Sequence, residues 1–296
     1  MKNRKLYEAK RLKIGNTPLI RDPELEKQFG ITNLLVKDES INLFGTFKDR
    51  RNVLAIDRAM EKHVDKLAII TSGNAGNSLA RLAEGTGIKV VCVVDKSLNS
   101  NIRKSLEKYS YRVIEVNLSE KRFEPKDVIE LTRETGDEVI WDVTNGYDAA
   151  FESIVMEIKE EAPDWLITPL GAGEAFVGLH KGLKKYLPKT KLVGAGVHRL
   201  REHKLELRAR PSKADKLYTP YTPYQEDIEK ILNESSRENL YVHLSDKQIM
   251  NVYRRISSKI SCEPSSAAAF ASLPKLDIGR ESKVVVVNSG KGIWTE

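Results

Sequence analysis

The stretch WLITPLGAGEAFVGLHKGLKKYLP, residues 165–188, decides the fold. Its first six residues are almost wholly apolar, as in a strand buried on both faces. Glycine and alanine dominate from Gly171 to Ala175. A helical pattern then runs on to Lys184, Lys185 and Pro188, a basic last turn followed by a stop. A buried strand that turns through glycines into a helix is one unit of a parallel sheet. Ligands of such sheets sit where strands end and helices begin.

The same unit recurs along the chain. Strand patterns lie at 34–38, 66–71, 89–95, 111–117, 138–143, 165–170, 191–197 and 283–289. Helical patterns lie at 49–62, 76–86, 101–109, 124–135, 148–161, 175–187, 245–259 and 265–273. This alternation predicts an α/β protein with mostly parallel sheets covered by helices on both faces. A chain of 296 residues suffices for two modest domains or one large unit.

Composition narrows the function. No apolar run reaches the length of a membrane span, and MKNRKLYEAKRLKIGN at the start lacks the apolar core of a secretory leader. Cys92 and Cys262 offer neither a disulfide framework nor metal spacing, which suits a reducing, cytoplasmic setting. Histidines 63, 180, 198, 203 and 243 show no paired spacing, so no metal site is expected. The formal net charge is +7, yet bases dominate only in 199–216, RLREHKLELRARPSKADK. No aromatic platform is interleaved there, so a solvated loop is expected rather than a nucleic-acid interface.

Four places carry chemistry. After the strand at 66–71 comes Ser72-Gly73-Asn74-Ala75-Gly76-Asn77, small residues opening a helix whose unpaired N–H groups suit a carboxylate. An ordinary capped turn is the bland alternative there. Gly171-Ala172-Gly173-Glu174-Ala175 is a second such turn, but Phe176 stands where a dinucleotide fingerprint needs its third glycine. No Gly-Lys-Ser/Thr follows either, which leaves a small phosphate held by backbone amides. Ser289 ends the last strand with a hydroxyl, and Gly290-Lys291-Gly292 follows it. In NLFGTFKDRR, 42–51, Lys48 stands behind a glycine corner flanked by Phe44 and Phe47. A lysine so placed is either a solvated charge or a shielded nucleophile. A cofactor with an aldehyde, a phosphate and a ring nitrogen, handling amino acids, uses all four features. Pyridoxal 5'-phosphate has those groups, and a lysine is its usual anchor.

The chain resembles the tryptophan-synthase-β-like, fold-type II pyridoxal phosphate enzymes. The resemblance rests on Gly15-Asn16-Thr17-Pro18-Leu19, on Lys37-Asp38-Glu39 with Asn42, Gly45, Thr46, Phe47, Lys48, Asp49 and Arg50, and on Ser72-Gly73-Asn74. It continues through 171–175, Glu263-Pro264-Ser265-Ser266-Ala267-Ala268 and Ser289-Gly290. Within the family, Lys48-Asp49-Arg50, the segment 145–173 and Ser289-Gly290-Lys291-Gly292 are most similar to threonine synthase.

The resemblance implies pyridoxal 5'-phosphate as cofactor, Lys48 as its catalytic Schiff-base lysine, and Asn74 at the ring hydroxyl. It implies Gly171, Ala172, Gly173, Glu174 and Ala175 at the phosphate and Ser289 at the ring nitrogen. The substrate carboxylate would lie on Ser72, Gly73, Asn74, Ala75, Gly76 and Asn77. Glu174 fits the pattern least, and it is expected to face outward at the helix start, where a carboxylate is favourable. A larger cofactor-binding domain is expected from 1–51 with 145–296, and a smaller inserted βαβ domain from 52–144. The implied activity is elimination or replacement at the β or γ carbon of an amino acid, with O-phosphohomoserine to threonine as the particular reaction. Cysteine synthase-like β-replacement and serine/threonine dehydratase-like β-elimination stay open, as does a catalytically reduced binding protein on the same scaffold. A homodimer with a small amino-acid substrate, and no nucleic-acid or membrane partner, completes the expectation.

Overall fold

In the computed structural model the described residues are 4–118, 120, 122–234 and 240–292. The strands in chain order are β1 (Leu19–Arg21), β2 (Asn33–Asp38), β3 (Lys66–Ile70), β4 (Lys89–Asp95), β5 (Arg112–Val116) and β6 (Ile140–Asp142). They continue as β7 (Trp165–Pro169), β8 (Lys191–Gly196), β9 (Arg199–Arg201), β10 (Lys204–Glu206), β11 (Leu240–His243) and β12 (Lys283–Asn288). The described residues fall into two compact units. One lies within Met1–Ile14, Asn42–Tyr147 and Gly292–Glu296, the other within Gly15–Ile41 and Asp148–Lys291. Residues 42–51 thus group with the unit holding 52–144, whereas the sequence expectation set a seam between 51 and 52. The helix Lys48–Glu61 runs unbroken across that position.

The first unit is built on a parallel sheet of order β5-β4-β3-β6. Leu67 and Ile69 of β3, with Val90, Cys92 and Val94 of β4, pack under the helices Lys48–Glu61, Asn74–Ala83 and Ser100–Tyr109. Ala68 and Val93, one residue out of phase, meet Val128 of the helix Pro125–Thr132 on the other face. Strand residues alternate between faces, so a strand apolar at every position needs a helix on each side. This is the layering expected from the sequence.

The second unit carries a sheet of order β1-β2-β12-β7-β8-β11, parallel except for β1 against β2. Val284 and Val286 of β12, Ile167 of β7 and Val193 of β8 pack against the helix Pro264–Ser272 through Ala267, Ala268 and Phe270. Each such buried valine or isoleucine contributes about 1.5–3 kcal/mol. The helix Glu174–Tyr186 follows β7, and Gly178 lets it approach the chain: a Cβ there would lie 2.0 Å from the Asp148 carbonyl oxygen. The hairpin β9–β10 and the helix Gln225–Leu232 were not anticipated. Among the described residues no helix is long and apolar enough to cross a membrane.

Candidate active site

Lys48 is the first residue of its helix. A cation there meets the positive end of the helix dipole, so helix stability does not explain its presence. The corner before it is tightly held. Gly45 adopts φ +75°, a conformation that favours glycine, and its N–H donates to the Asn42 carbonyl at 2.8 Å. The carboxylate of Asp49 is fully buried and accepts from the Phe44 N–H at 2.7 Å. Lys48 itself is half-buried, with Nζ 5.3 Å from the centre of the Phe47 ring. Phe44 packs under the Arg81 guanidinium at 4.5 Å. The aromatic shielding expected around Lys48 therefore comes from Phe47, while Phe44 is engaged by Arg81.

The turn after β3 lies in the same unit. Gly73 adopts φ +132° and opens the helix Asn74–Ala83. Thr71 Oγ1 accepts from two backbone N–H groups, those of Gly73 at 3.0 Å and Gly76 at 3.1 Å. Gly73, Asn74, Gly76 and Asn77 are buried, Ala75 is half-buried and Ser72 is exposed. Asn77 Nδ2 donates to Ser105 Oγ at 2.7 Å, while its buried Oδ1 has no hydrogen-bond partner among the described residues. Asn52, on the Lys48 helix, donates to the Ala75 carbonyl at 2.9 Å and to Ser78 Oγ at 3.0 Å. The lysine helix and the turn are thus tied together.

In the second unit, β7 and β12 are parallel neighbours, so the turn 171–175 and Ser289 lie at the same carboxyl end of the sheet's strands. Gly173 has φ +93°. A Cβ on Gly171 would lie 2.5 Å from the Lys216 carbonyl oxygen, and one on Gly173 would lie 2.3 Å from Ile228 Cδ1. Thr222 Oγ1 donates to the Ala172 carbonyl, and the fully buried His198 contacts the Gly171 carbonyl through Nε2 at 3.0 Å. Ala175 is buried behind the turn. Ser289 is buried, and its N–H donates to Ser266 Oγ at 2.7 Å. Ser266 donates to Asn288 Oδ1 at 2.6 Å, and Asn288 Nδ2 donates to Asp38 Oδ1 at 2.7 Å.

Glu174 requires a correction. It was expected to face outward, but it is only 3% exposed, and the Tyr224 hydroxyl donates to its Oε1 at 3.4 Å. The cause is the segment around Thr222, Tyr224 and Ile228, which packs onto the turn and covers what would otherwise be surface. His198, Thr222, Tyr224, Thr71 and Asn52 were not singled out from sequence as supports of the site. Only Thr71, a hydroxyl directly before a glycine turn, carried a local signal. Thr17, Lys37 and Glu39, all within the resembling motifs, knit the second unit. Thr17 Oγ1 donates to Glu39 Oε1 at 2.6 Å, and Lys37 Nζ pairs with Glu157 at 2.6 Å. Burial pushes the Cys262 thiol up to about 12, which keeps it protonated and inert.

The residues fit pyridoxal phosphate. The turn 171–175 leaves no room for a Cβ at either glycine and opens a 13-residue helix, whose first N–H groups suit a phosphate. In the same unit a buried serine stands at the end of β12. This is a parallel α/β chain with a lysine and two glycine turns at strand ends. It belongs to the pyridoxal-phosphate dependent enzyme family, whose model matches residues 10–290.

Threonine synthase of Methanocaldococcus jannaschii is 26% identical over 94% of this chain and 75% of that enzyme. Cysteine synthase B of Pseudomonas aeruginosa is 26% identical over 92% of this chain and 90% of that enzyme. Among solved structures, the O-acetylserine dependent cystathionine β-synthase of Helicobacter pylori superposes with a TM-score of 0.77. It is 20% identical, covering 95% of this chain and 94% of that one. That likeness shows the fold.

Proposed function

We propose that the chain catalyses elimination or replacement at the β or γ carbon of an amino acid, in the manner of threonine synthase, with Lys48 as catalytic residue. The cofactor, when bound, supplies an aldehyde for the amino group and a sink for the electron pair left at Cα. Lys48 would hold it through its amine, and Nζ would take up and hold the Cα proton of the bound amino acid. The amides and side chains of 72–77 bind the substrate carboxylate, and Asn74 orients the ring hydroxyl. The amides of 171–175 hold the phosphate. The larger and smaller domains expected from sequence would close over the substrate and exclude water.

The observation that carries the reaction type is Ser289. It is a neutral residue at the end of β12 whose main chain is fixed by Ser266, while the nearby Asp38 carboxylate is engaged by Asn288 and by the Ser40 hydroxyl at 2.6 Å. A hydroxyl partner leaves a ring nitrogen less protonated than a carboxylate would, which weakens the sink and favours elimination and replacement over transamination. A second reading, β-replacement on serine-like substrates, is supported by coverage: the chain spans 90% of the cysteine synthase but 75% of the threonine synthase.

Absorbance titration of the purified protein with amino acids and their O-phospho and O-acetyl derivatives separates the two. Turnover of a γ-phosphorylated substrate supports the first reading, and turnover confined to β-substituted serines supports the second. Lys48→Ala should lower turnover by at least about 10²–10⁴-fold and abolish borohydride trapping of cofactor on the chain. Trapping on another lysine in that variant would overturn the role of Lys48. Ser289→Asp should retain cofactor but lose β/γ chemistry, and parent-like turnover in both Ser289→Asp and Ser289→Ala would remove Ser289 from the ring.

A further inference from the structure

His198 stands two residues past β8, is fully buried, and has both ring nitrogens occupied. The Arg208 N–H donates to Nδ1 at 3.0 Å. A ring nitrogen that accepts carries no proton, so in the neutral ring the proton is on Nε2, which donates to the Gly171 carbonyl at 3.0 Å. Burial lowers the imidazole pKa and holds the ring neutral. The backbone of His198 is pinned as well: its carbonyl accepts from the Tyr241 hydroxyl at 3.0 Å and contacts His243 Nδ1 at 2.5 Å.

We propose that His198 is the positioning residue of the phosphate turn. Its imidazole, locked between the Arg208 N–H and the Gly171 carbonyl, sets the direction in which the Ala172 N–H points. The geometry of the peptide unit makes the link. In a planar trans peptide the carbonyl of one residue and the N–H of the next point in opposite directions. Fixing the Gly171 carbonyl therefore fixes the Ala172 N–H, and the bond from Thr222 to the Ala172 carbonyl fixes the Gly173 N–H in the same way. The Lys216 carbonyl, 2.5 Å from where a Gly171 Cβ would stand, closes off the other side. Donors aimed in advance bind an anion without the cost of ordering them. The role rests on 171–175 being the cradle of the cofactor phosphate.

The test compares pyridoxal 5'-phosphate with pyridoxal, which has the same aldehyde and ring but no phosphate, on the full-length chain freed of cofactor. Equilibrium titration of both ligands gives a phosphate preference for each variant. His198→Ala should weaken pyridoxal phosphate roughly ten-fold or more and pyridoxal by less than about two-fold. His198→Gln, whose amide can both donate to Gly171 and accept from Arg208, should recover most of the preference. If His198→Ala does not fold, His198→Leu fills the volume without the hydrogen bonds and is read the same way. Ala172→Asp, which adds a charge at a half-buried position, should abolish the preference whatever His198 does. Equal losses for both ligands in His198→Ala, or none, overturn the positioning role while Ala172→Asp still behaves as stated. An unchanged preference in Ala172→Asp overturns the cradle itself, and the proposal with it.

Discussion

The two glycine turns are built alike and supported differently. Each leaves a buried parallel strand, uses a glycine at positive φ (Gly73 at +132°, Gly173 at +93°), and opens a helix. The turn after β3 braces itself: Thr71 accepts from Gly73 and Gly76, and the Gly73 carbonyl accepts from the Asn77 N–H at 2.9 Å. The turn after β7 is braced from a distance, by His198 lying 27 residues on and Thr222 lying 50 residues on. Lys216 and Ile228 press on its glycines. Local hydrogen bonds form at little cost in chain entropy, whereas remote ones require the intervening loop to be closed first. The main chain of the first turn is therefore fixed by its own residues, with Asn52 and Ser105 adding side-chain bonds from 23 and 28 residues away, whereas the main chain of the second is fixed by the segment 198–232.

The largest expected effect breaks the remote support directly. In Gly171→Ala the new Cβ meets a backbone oxygen at 2.5 Å, which no rotamer change relieves. We expect a loss of about 3 kcal/mol in urea unfolding, with faster hydrogen exchange both in the turn and across 214–232. Parent-like stability would mean that the Lys216 segment can move away freely, and the contrast between the turns would collapse. Thr71→Val tests the other side. It keeps the side-chain shape and removes the acceptor for two backbone N–H groups, so we expect a loss of about 1–3 kcal/mol. Faster exchange should be confined to 72–78, and the spectral response to added amino acid should weaken. Exchange changes spreading far beyond that stretch would show that its bonds to Asn52 and Ser105 matter as much as the local ones.

The same contrast explains what could be read in the sequence. The eight strand patterns correspond to eight of the observed strands within a residue or two at each end, because valine-rich runs between helical periods leave little choice. Turn 72–77 was legible as a turn because glycine, asparagine and serine all act locally there. The short pieces β1, β9, β10 and β11 carry three or four residues each and no usable period. Glu174 was misjudged because its burial is decided by Tyr224 and Thr222, which no local pattern connects to it. His198 looked like one of five unpaired histidines. Its role depends on a carbonyl that the strand order brings alongside, since β7 and β8 pair in parallel. Spacing reveals what neighbours in sequence do, and it is silent on supports delivered by topology.

The smallest expected effect lies in pH, and it sharpens the comparison because only the remote support can titrate. Thr71 carries no ionisable group. The His198 pKa is lowered from the ordinary 6.5, chiefly by burial, with His243 and Arg208 pushing the same way and the Gly171 carbonyl opposing. The unfolded chain takes up a proton on this ring near pH 6.5, and the folded chain does so only at lower pH. Between those two values the unfolded state binds more protons, so stability rises with pH. The contribution is complete above about 6.5 and is lost as pH falls through the folded value. Protonation would place a hydrogen on Nδ1, against the Arg208 N–H, and the bond that orients the ring would fail. We therefore expect the unfolding free energy of the parent to fall more steeply from pH 7 to pH 5 than that of His198→Gln. Every other group titrates in both chains, so the difference between the two profiles isolates the ring. The preference for pyridoxal phosphate over pyridoxal should fade more steeply over the same interval in the parent than in His198→Gln, because the phosphate's own titration near about pH 6 acts in both. Parallel profiles for the two chains would show that His198 stays neutral throughout or that its protonation costs nothing, and the remote brace would then be no more sensitive to acid than the local one.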